Sequence, residues 1–239
     1  MPTATSELLP DPATVGVVIV SAGASTRMAG VNKTLVELAG VPIIARTVGA
    51  FESSDAIGSV VLVVSPDDLD EVVEISRQRQ WKKVVQVLRG GVRRQDSVWV
   101  GLQALPECEW VLVHDGARPL VSHKMIRDGL LAAKSTGAAT AAVAVADTIK
   151  IVTKNGRVLD TLDRRTLASI QTPQVFRYDA LYEAHQRVTN DVTDDASMLE
   201  ACGVAVDIFS GDRSNIKVTT PEDLVVAEAL LDMNVKSGE

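Results

Sequence analysis

The chain has 239 residues, with 24 Lys and Arg against 31 Asp and Glu for a formal net charge of -7. That length can bury a substantial core, and the excess acid excludes a global electrostatic footprint for nucleic acid, so any anion must be held locally. Cys108 and Cys202 are far apart and form no CxxC pair, which predicts reduced thiols and argues against a disulfide framework or a zinc site.

No apolar run reaches membrane-spanning length, and the polar, Pro-containing start lacks the cationic and apolar regions of a signal peptide. A soluble, cytoplasmic protein is expected, with residues 1–13 and 235–239 as tails. Residues 15–20 are apolar and mostly β-branched, the pattern of a buried parallel strand. The small residues Ser21, Ala22, Gly23, Ala24 and Ser25 follow, then Arg27 and Lys33. Small residues let backbone N–H groups approach a ligand closely, and with two cations they suggest a polyphosphate cradle. It is not a Walker A loop, because Asn32 precedes Lys33, nor a dinucleotide fingerprint, because Gly23 lacks its companion glycines. Taken alone, the stretch also reads as a strand-to-helix turn carrying two solvated cations.

Residues 34–38 form a short extended piece, Gly40 turns, and Pro42 opens a helix with Ile44, Val48 and Phe51 on one face. Residues 59–64 are a second strand, after which Ser65 caps a helix with Leu69, Val72 and Val73 turned inward. Residues 84–88 are a third strand. The alternation predicts a Rossmann-like α/β fold with a mostly parallel, doubly wound sheet, in which ligands bind beyond the carboxyl ends of the strands. After the third strand Gly90 and Gly91 permit tight backbone geometry, and Arg94, Asp96 and Ser97 open a helix carrying Val98, Leu102 and Leu105. Ser97 either contacts a ribose or base or belongs to an ordinary capped helix. Residues 110–113 are the fourth strand, leading into His114-Asp115-Gly116-Ala117-Arg118-Pro119. An acid at a strand's carboxyl end, opposite a cationic loop, suits a Mg2+ that bridges phosphates, so Asp115 is the metal candidate. His114 has no neighbours at metal-ligand spacing and reads as structural.

Residues 138–145 are another apolar strand, and the pattern then breaks. Residues 146–165 alternate on either side of Asn155-Gly156, a strong hairpin signal. Residues 147–165 read as a β-hairpin arm that packs on a second subunit, the alternative being an edge hairpin folded back on its own domain. Asp147, Thr148, Arg164 and Thr172 flank it and are able to enclose a second substrate. Residues 178–186 are helical with Leu181 and Tyr182 inward. Thr193-Asp194-Asp195 opens a short helix whose acids read as dipole-stabilising, and residues 204–209 are a late strand. Thr220 caps a last helix begun by Pro221, with Leu224, Ala227 and Leu231 inward and Lys217 fixed just upstream. One domain over residues 14–232 accounts for all of this.

The opening loop with Arg27 and Lys33, HDGARP at 114–119, Asp147-Thr148, Thr172-Pro173-Gln174, Thr193-Asp194-Asp195-Ala196-Ser197 and Asn215-Ile216-Lys217-Val218-Thr219 occur in this order. Together they closely resemble the 2-C-methyl-D-erythritol 4-phosphate cytidylyltransferases of the non-mevalonate isoprenoid pathway. The opening loop is shared by many sugar-phosphate nucleotidyltransferases; the HDGARP and NIKVT segments are more selective. The resemblance implies a nucleotidyltransferase-type fold and the reaction of CTP with methylerythritol phosphate, with Mg2+, to give the cytidine diphosphate derivative and pyrophosphate. It implies that Ala22, Gly23, Arg27 and Lys33 hold the triphosphate, that Gly90, Ser97 and Gly116 line the cytidine pocket, and that Asp115 faces metal and nucleotide. Thr148, Arg164, Thr172 and Lys217 would surround methylerythritol phosphate, in a homodimer whose arm carries some of these groups into the neighbour's site. Asn32 stands where a proline commonly precedes the lysine, Gly116 where alanine is usual, and Val92 where an acid often follows the paired glycines.

A substrate phosphate oxygen is already a nucleophile at neutral pH, so no general base is required. Arg27, Lys33, Lys217 and Mg2+ would stabilise the charge that builds on the α-phosphoryl group and on pyrophosphate. Two other readings are a ribitol 5-phosphate cytidylyltransferase, which shares the same loops, and a non-catalytic nucleotide-binding subunit.

Overall fold

The structure is a computed structural model that describes residues 8–23 and 35–237, with side chains through residue 233. Its organising strand is β1 (Val15–Ser21), buried at every position. A strand with no polar side on its first six residues needs cover on both faces and a neighbour on both edges, and it has them. β1 pairs in parallel with β4 (Ser59–Val64) on one edge and β6 (Trp110–Asp115) on the other, so that Val18 lies between Val61 and Val113. Between them run the short antiparallel pair β2 (Glu37–Leu38) and β3 (Val41–Pro42), α1 (Ile43–Glu52), α2 (Leu69–Arg79), β5 (Val84–Arg89) and α3 (Arg94–Ala104). Then follow α4 (His123–Ala133), β7 (Ala138–Ala144), β8 (Lys150–Val152), β9 (Val158–Thr161), β10 (Ala168–Arg177), α5 (Tyr178–Arg187), α6 (Asp195–Ala201), β11 (Asp207–Ser210) and α7 (Pro221–Ser237).

The main sheet has seven strands in the order β11-β7-β10-β6-β1-β4-β5. Ile44, Val48 and Phe51 of α1, Val72 of α2, and Met125, Ile126 and Leu130 of α4 cover one face. Val98 and Leu102 of α3, Leu181 and Ala184 of α5, and Met198 and Leu199 of α6 cover the other. This is the doubly wound arrangement expected from the alternation of elements. A third cluster, in which Ala227 of α7 meets Leu38, Ile43 and Val218, closes the carboxyl end beside α1.

Three expectations are corrected. Val73 is 46% exposed and only Val72 of that pair faces the sheet: adjacent helical residues lie 100° apart, and α2 covers an edge strand with a narrow stripe. The late strand β11 begins at Asp207 rather than at residue 204. The larger omission is β10, a ten-residue strand antiparallel to both β6 and β7 near the middle of the sheet. Pro173 within it argues against a central strand, because proline cannot donate to a ladder. The register shifts between Gln171 and Gln174, so Thr172-Pro173 sits in a bulge where no ladder bond is required of it.

β8 and β9 pair only with each other, and every residue in both is exposed. Gly156, at φ +76°, closes their turn by donating its N–H to the Thr153 carbonyl at 3.0 Å. This hairpin is not folded onto the main sheet. Cys108 and Cys202 are free thiols, and burial pushes the Cys108 thiol up to about 11, which makes it a poor nucleophile. Among the described residues no helix is long and apolar enough to cross a membrane.

Candidate active site

The loops after β1, β5 and β6 meet beyond the carboxyl ends of their strands, as the winding rule requires. Gly90 makes the first contact possible: a Cβ there would stand 2.2 Å from Ala22 Cβ and 2.7 Å from Ser97 Oγ. Gly116 does the same for the β6 loop, where a Cβ would fall 2.8 Å from Ser21 Cβ. The cavity between the three loops, about 220 Å3, is lined by Ser21, Ala22 and Gly23 on one side, by Gly91 to Arg94 and Ser97 on another, and by Asp115, Ala117 and Lys217 at its base. Gly90 and Gly116 shape this wall from behind, while their neighbours Gly91 and Ala117 face the space. The buried Ser97 hydroxyl accepts from Gly91 N–H at 3.1 Å and lies 3.2 Å from the Arg93 carbonyl, to which it donates, so it braces the β5–α3 loop. Val92 is fully exposed at the mouth. Arg27 and Lys33 lie outside the described residues.

A second cavity of about 310 Å3 opens between β10 and the start of α6, against Gln171, Thr172, Gln174, Thr193 and Asp194, with Arg118 beside them. The two cavities share Arg94, Asp115 and Lys217. Asp115 Oδ2 lies 2.9 Å from Lys217 Nζ and 3.5 Å from Arg118 Nε, and its Oδ1 lies 3.4 Å from Arg94 Nε. Arg94 Nη1 also reaches Asp195 Oδ2 at 2.7 Å. Burial alone would raise the Asp115 carboxyl, but Arg94, Lys217 and Arg118 outweigh it and hold the group far below the usual carboxylate range. Among the described residues Arg94, Arg118 and Lys217 converge on Asp115, so cationic donors suited to phosphate are gathered where the two cavities meet.

The supports of these side chains are internal. His114 is fully buried, with Nε2 donating to the Arg118 carbonyl at 3.2 Å and Nδ1 accepting from the Thr172 hydroxyl at 3.1 Å. The same Thr172 Oγ1 accepts from Asp115 N–H at 3.0 Å. Burial lowers His114 to about 4, so it is a neutral brace, in agreement with its structural reading. Asn215 donates to the Thr172 carbonyl at 2.8 Å and its own carbonyl accepts from Arg118 Nη1 at 2.8 Å, while Val218 N–H donates to Ala117 O at 2.8 Å. These bonds stitch the segment that carries Lys217 to β6 and β10. A reciprocal cap in which Asp223 Oδ2 accepts from Thr220 N–H and Thr220 Oγ1 accepts from Asp223 N–H then fixes the start of α7.

Thr172 and Lys217 thus join Asp115 at the junction. Thr148 and Arg164 do not: both are exposed on the arm, where Arg164 Nη1 donates to the Ala146 carbonyl at 2.7 Å, and neither lines either cavity. Arg94, Arg118 and Gln174 are site residues that the sequence alone does not single out, although Arg118 sits inside the HDGARP segment. The two acids at the α6 start also differ in role. Asp194 does cap the helix, accepting from Ser197 N–H at 3.1 Å, whereas Asp195 is 0% exposed and holds Arg94.

For a divalent cation, Asp115 is the one carboxylate among the described residues lining the first cavity, and both its oxygens face cations. Among the described residues no group of three or more His, Cys, Asp or Glu is placed to hold a metal. These residues do not fit a protein-ligated Mg2+.

A family model described as 2-C-methyl-D-erythritol 4-phosphate cytidylyltransferase matches residues 15–233. A protein of that name from Dehalococcoides mccartyi is 48% identical over 217 residues, covering 91% of this chain and 96% of the relative. One from Clostridium novyi is 41% identical over 225 residues, covering 92% and 97%. Among solved structures, 4-diphosphocytidyl-2C-methyl-D-erythritol synthase from Anaerococcus prevotii superposes with a TM-score of 0.81 at 30% identity, over 91% of this chain and 96% of that one. With β1 to β11 and most of α7 inside the matched span and the selective HDGARP and NIKVT segments on the two cavities, the chain belongs to the 2-C-methyl-D-erythritol 4-phosphate cytidylyltransferase family.

Proposed function

We propose that the chain transfers the cytidylyl group of CTP to 2-C-methyl-D-erythritol 4-phosphate, giving 4-diphosphocytidyl-2-C-methyl-D-erythritol and pyrophosphate in isoprenoid precursor biosynthesis. The observation that carries the reading is the pair of cavities meeting at Arg94, Asp115 and Lys217. The first, walled by small residues and backbone, takes the nucleotide; the second, lined with hydroxyl, amide and carboxylate groups, takes the polyol phosphate. An oxygen of the acceptor phosphate attacks the α-phosphorus, the bond to the bridging oxygen breaks, and its electron pair leaves with pyrophosphate. No proton has to move, and the site supplies no base: its histidine is buried and neutral. What the protein contributes is position and positive charge, from Lys217 and, by resemblance, Arg27 and Lys33. Mg2+ would enter with CTP and supply further positive charge, since Asp115, the one described carboxylate of the first cavity, is already paired with cations.

The named relatives do not favour a ribitol phosphate acceptor or a non-catalytic subunit. The exposed apolar residues Ile151, Val152, Val158 and Leu159 support a homodimer in which residues 147–165 reach the neighbour. That arrangement would give Thr148 and Arg164 a second cavity to complete. A cytoplasmic setting accords with the two free thiols. The test is pyrophosphate release from CTP and Mg2+ with methylerythritol phosphate or ribitol 5-phosphate. Release with the former alone is expected; release only with ribitol phosphate, or with neither, overturns the reading.

A further inference from the structure

We propose that Arg94 is a further catalytic residue of this site, donating from Nη2 to the phosphoryl oxygens at the junction, and that the buried Asp195 is the residue that positions it. The assignment rests on the cytidylyl-transfer reading above. Bond formation between an acceptor phosphate and an α-phosphoryl group must occur where the two cavities meet, and among the described residues three side chains lie in both walls. Asp115 is an anion and Lys217 is already assigned; Arg94 is the remaining cation among the described residues. Its fork is partly spoken for: Nε faces Asp115 Oδ1 at 3.4 Å and Nη1 donates to Asp195 Oδ2 at 2.7 Å. Among the described residues Nη2 has no partner, and the side chain is 28% exposed, toward the cavities.

Asp195 is the second observation. It is 0% exposed, and its Oδ1 is buried with no hydrogen-bond partner. A half-satisfied buried carboxylate is costly, and a purely structural anchor for α6 is already supplied by Asp194 and Gln174. What Asp195 adds is a fixed orientation of the guanidinium plane. Burial opposes the charged form of Arg94, but Asp195 and Asp115 more than offset it, so the fork stays ionised. The pairing also cancels most of Arg94's charge toward a distant ground-state anion and leaves its N–H groups aimed at oxygens that gain charge only during transfer. The expected signature is therefore in kcat more than in KM.

The experiment measures kcat and KM for both substrates by pyrophosphate release, with a thermal melt on each variant. Arg94→Ala is expected to lose about 10²- to 10³-fold in kcat, with KM for each substrate within about threefold, and added guanidinium should restore part of the turnover saturably. Asp195→Asn, which keeps shape and an acceptor, is expected to lose about tenfold in kcat with KM unchanged. If Arg94→Ala fails to fold, Arg94→Lys, which keeps the charge without the fork, replaces it and is expected to lose at least tenfold. A folded variant at position 94 with kcat within threefold of wild type overturns the proposal, as does a rise in KM alone. Asp195→Asn with unchanged kcat overturns the positioning role. Wild-type turnover measured alongside separates failure of this assignment from failure of the activity itself.

Discussion

Replacing Gln174 by Leu is expected to loosen the whole acceptor side of the site by removing the hydrogen bonds that hold it. Gln174 is fully buried on β10 and makes four hydrogen bonds. Its Oε1 accepts from Asp195 N–H at 3.1 Å and Ala196 N–H at 3.2 Å; its Nε2 donates to Thr140 Oγ1 at 2.9 Å and Asp194 Oδ2 at 2.7 Å. Leucine fills similar space but leaves two buried backbone donors at the start of α6 without an acceptor. Each such donor costs about 1–3 kcal/mol, so the loss should be about 2–6 kcal/mol, out of a total stability of about 5–15 kcal/mol. For a chain of this size that is a fall in Tm of about 4–24 °C, read by circular dichroism at fixed concentration. Gln174→Glu separates the two edges of the amide, because it keeps the acceptor for both N–H groups but sets a carboxylate against Asp194. It should be destabilised by repulsion rather than by orphaned donors, a loss that salt relieves little because the site is buried. A Tm within about 2 °C of wild type for Gln174→Leu would mean that α6 is held by its apolar face alone, and the network reasoning would fail.

Two further outcomes follow from the geometry. His114 is held neutral in the fold, with burial lowering it to about 4 from an ordinary 6.5. The unfolded chain therefore binds the extra proton between those values, and stability should fall as pH drops from about 6.5 to 4, by about 3 kcal/mol in all. Burial lowers His185 too, which adds loss of the same sign, whereas Asp115 contributes loss only below the ordinary carboxylate range. Urea midpoints across that window test this, and His114→Gln should flatten the slope; equal midpoints at pH 7 and pH 4.5 in the wild type would refute it. On the arm, Leu159 is 64% exposed, and Leu159→Glu is expected to shift a dimer to a monomer by light scattering at micromolar concentration. A wild type that is already monomeric, or a variant that stays dimeric, contradicts the arm's proposed role.

The parts of this molecule that were legible in its sequence are those whose cause is local. β1 announces itself because burial on both faces selects an unbroken apolar run, and the cavity behind it because Gly90 and Gly91 follow a strand directly. β10 was not legible, since Pro173 is a sound local argument against a central strand and only the sheet's register explains where that proline goes. The same limit hid the site's electrostatics. Arg94 and Asp195 lie 101 positions apart, and an acid in the first turn of a helix has an adequate local explanation as a dipole partner. No spacing rule separates Asp194, which caps, from Asp195, which reaches across to α3. Arg118 was visible as part of a motif, yet its engagement with Asn215 depends on a segment 97 positions later.

An anionic residue at the centre of a phosphate site looks self-defeating, but the geometry around Asp115 gives it a reason. Arg94, Arg118 and Lys217 all approach within 3.5 Å of its oxygens. Without it, three cations would crowd one another, and at an effective dielectric near 20 each close pair costs about 4 kcal/mol. Such a cluster would spread toward solvent and would have to be reassembled for each substrate. With Asp115 present, the cations are gathered before any phosphate arrives, and the backbone N–H of Asp115 is itself fixed by Thr172, which His114 fixes in turn. The arriving phosphates then replace part of the carboxylate's share of Lys217, which at 40% is the most exposed of the three. Preorganisation of this kind lowers the barrier because the charge reorganisation has been completed during folding rather than during transfer.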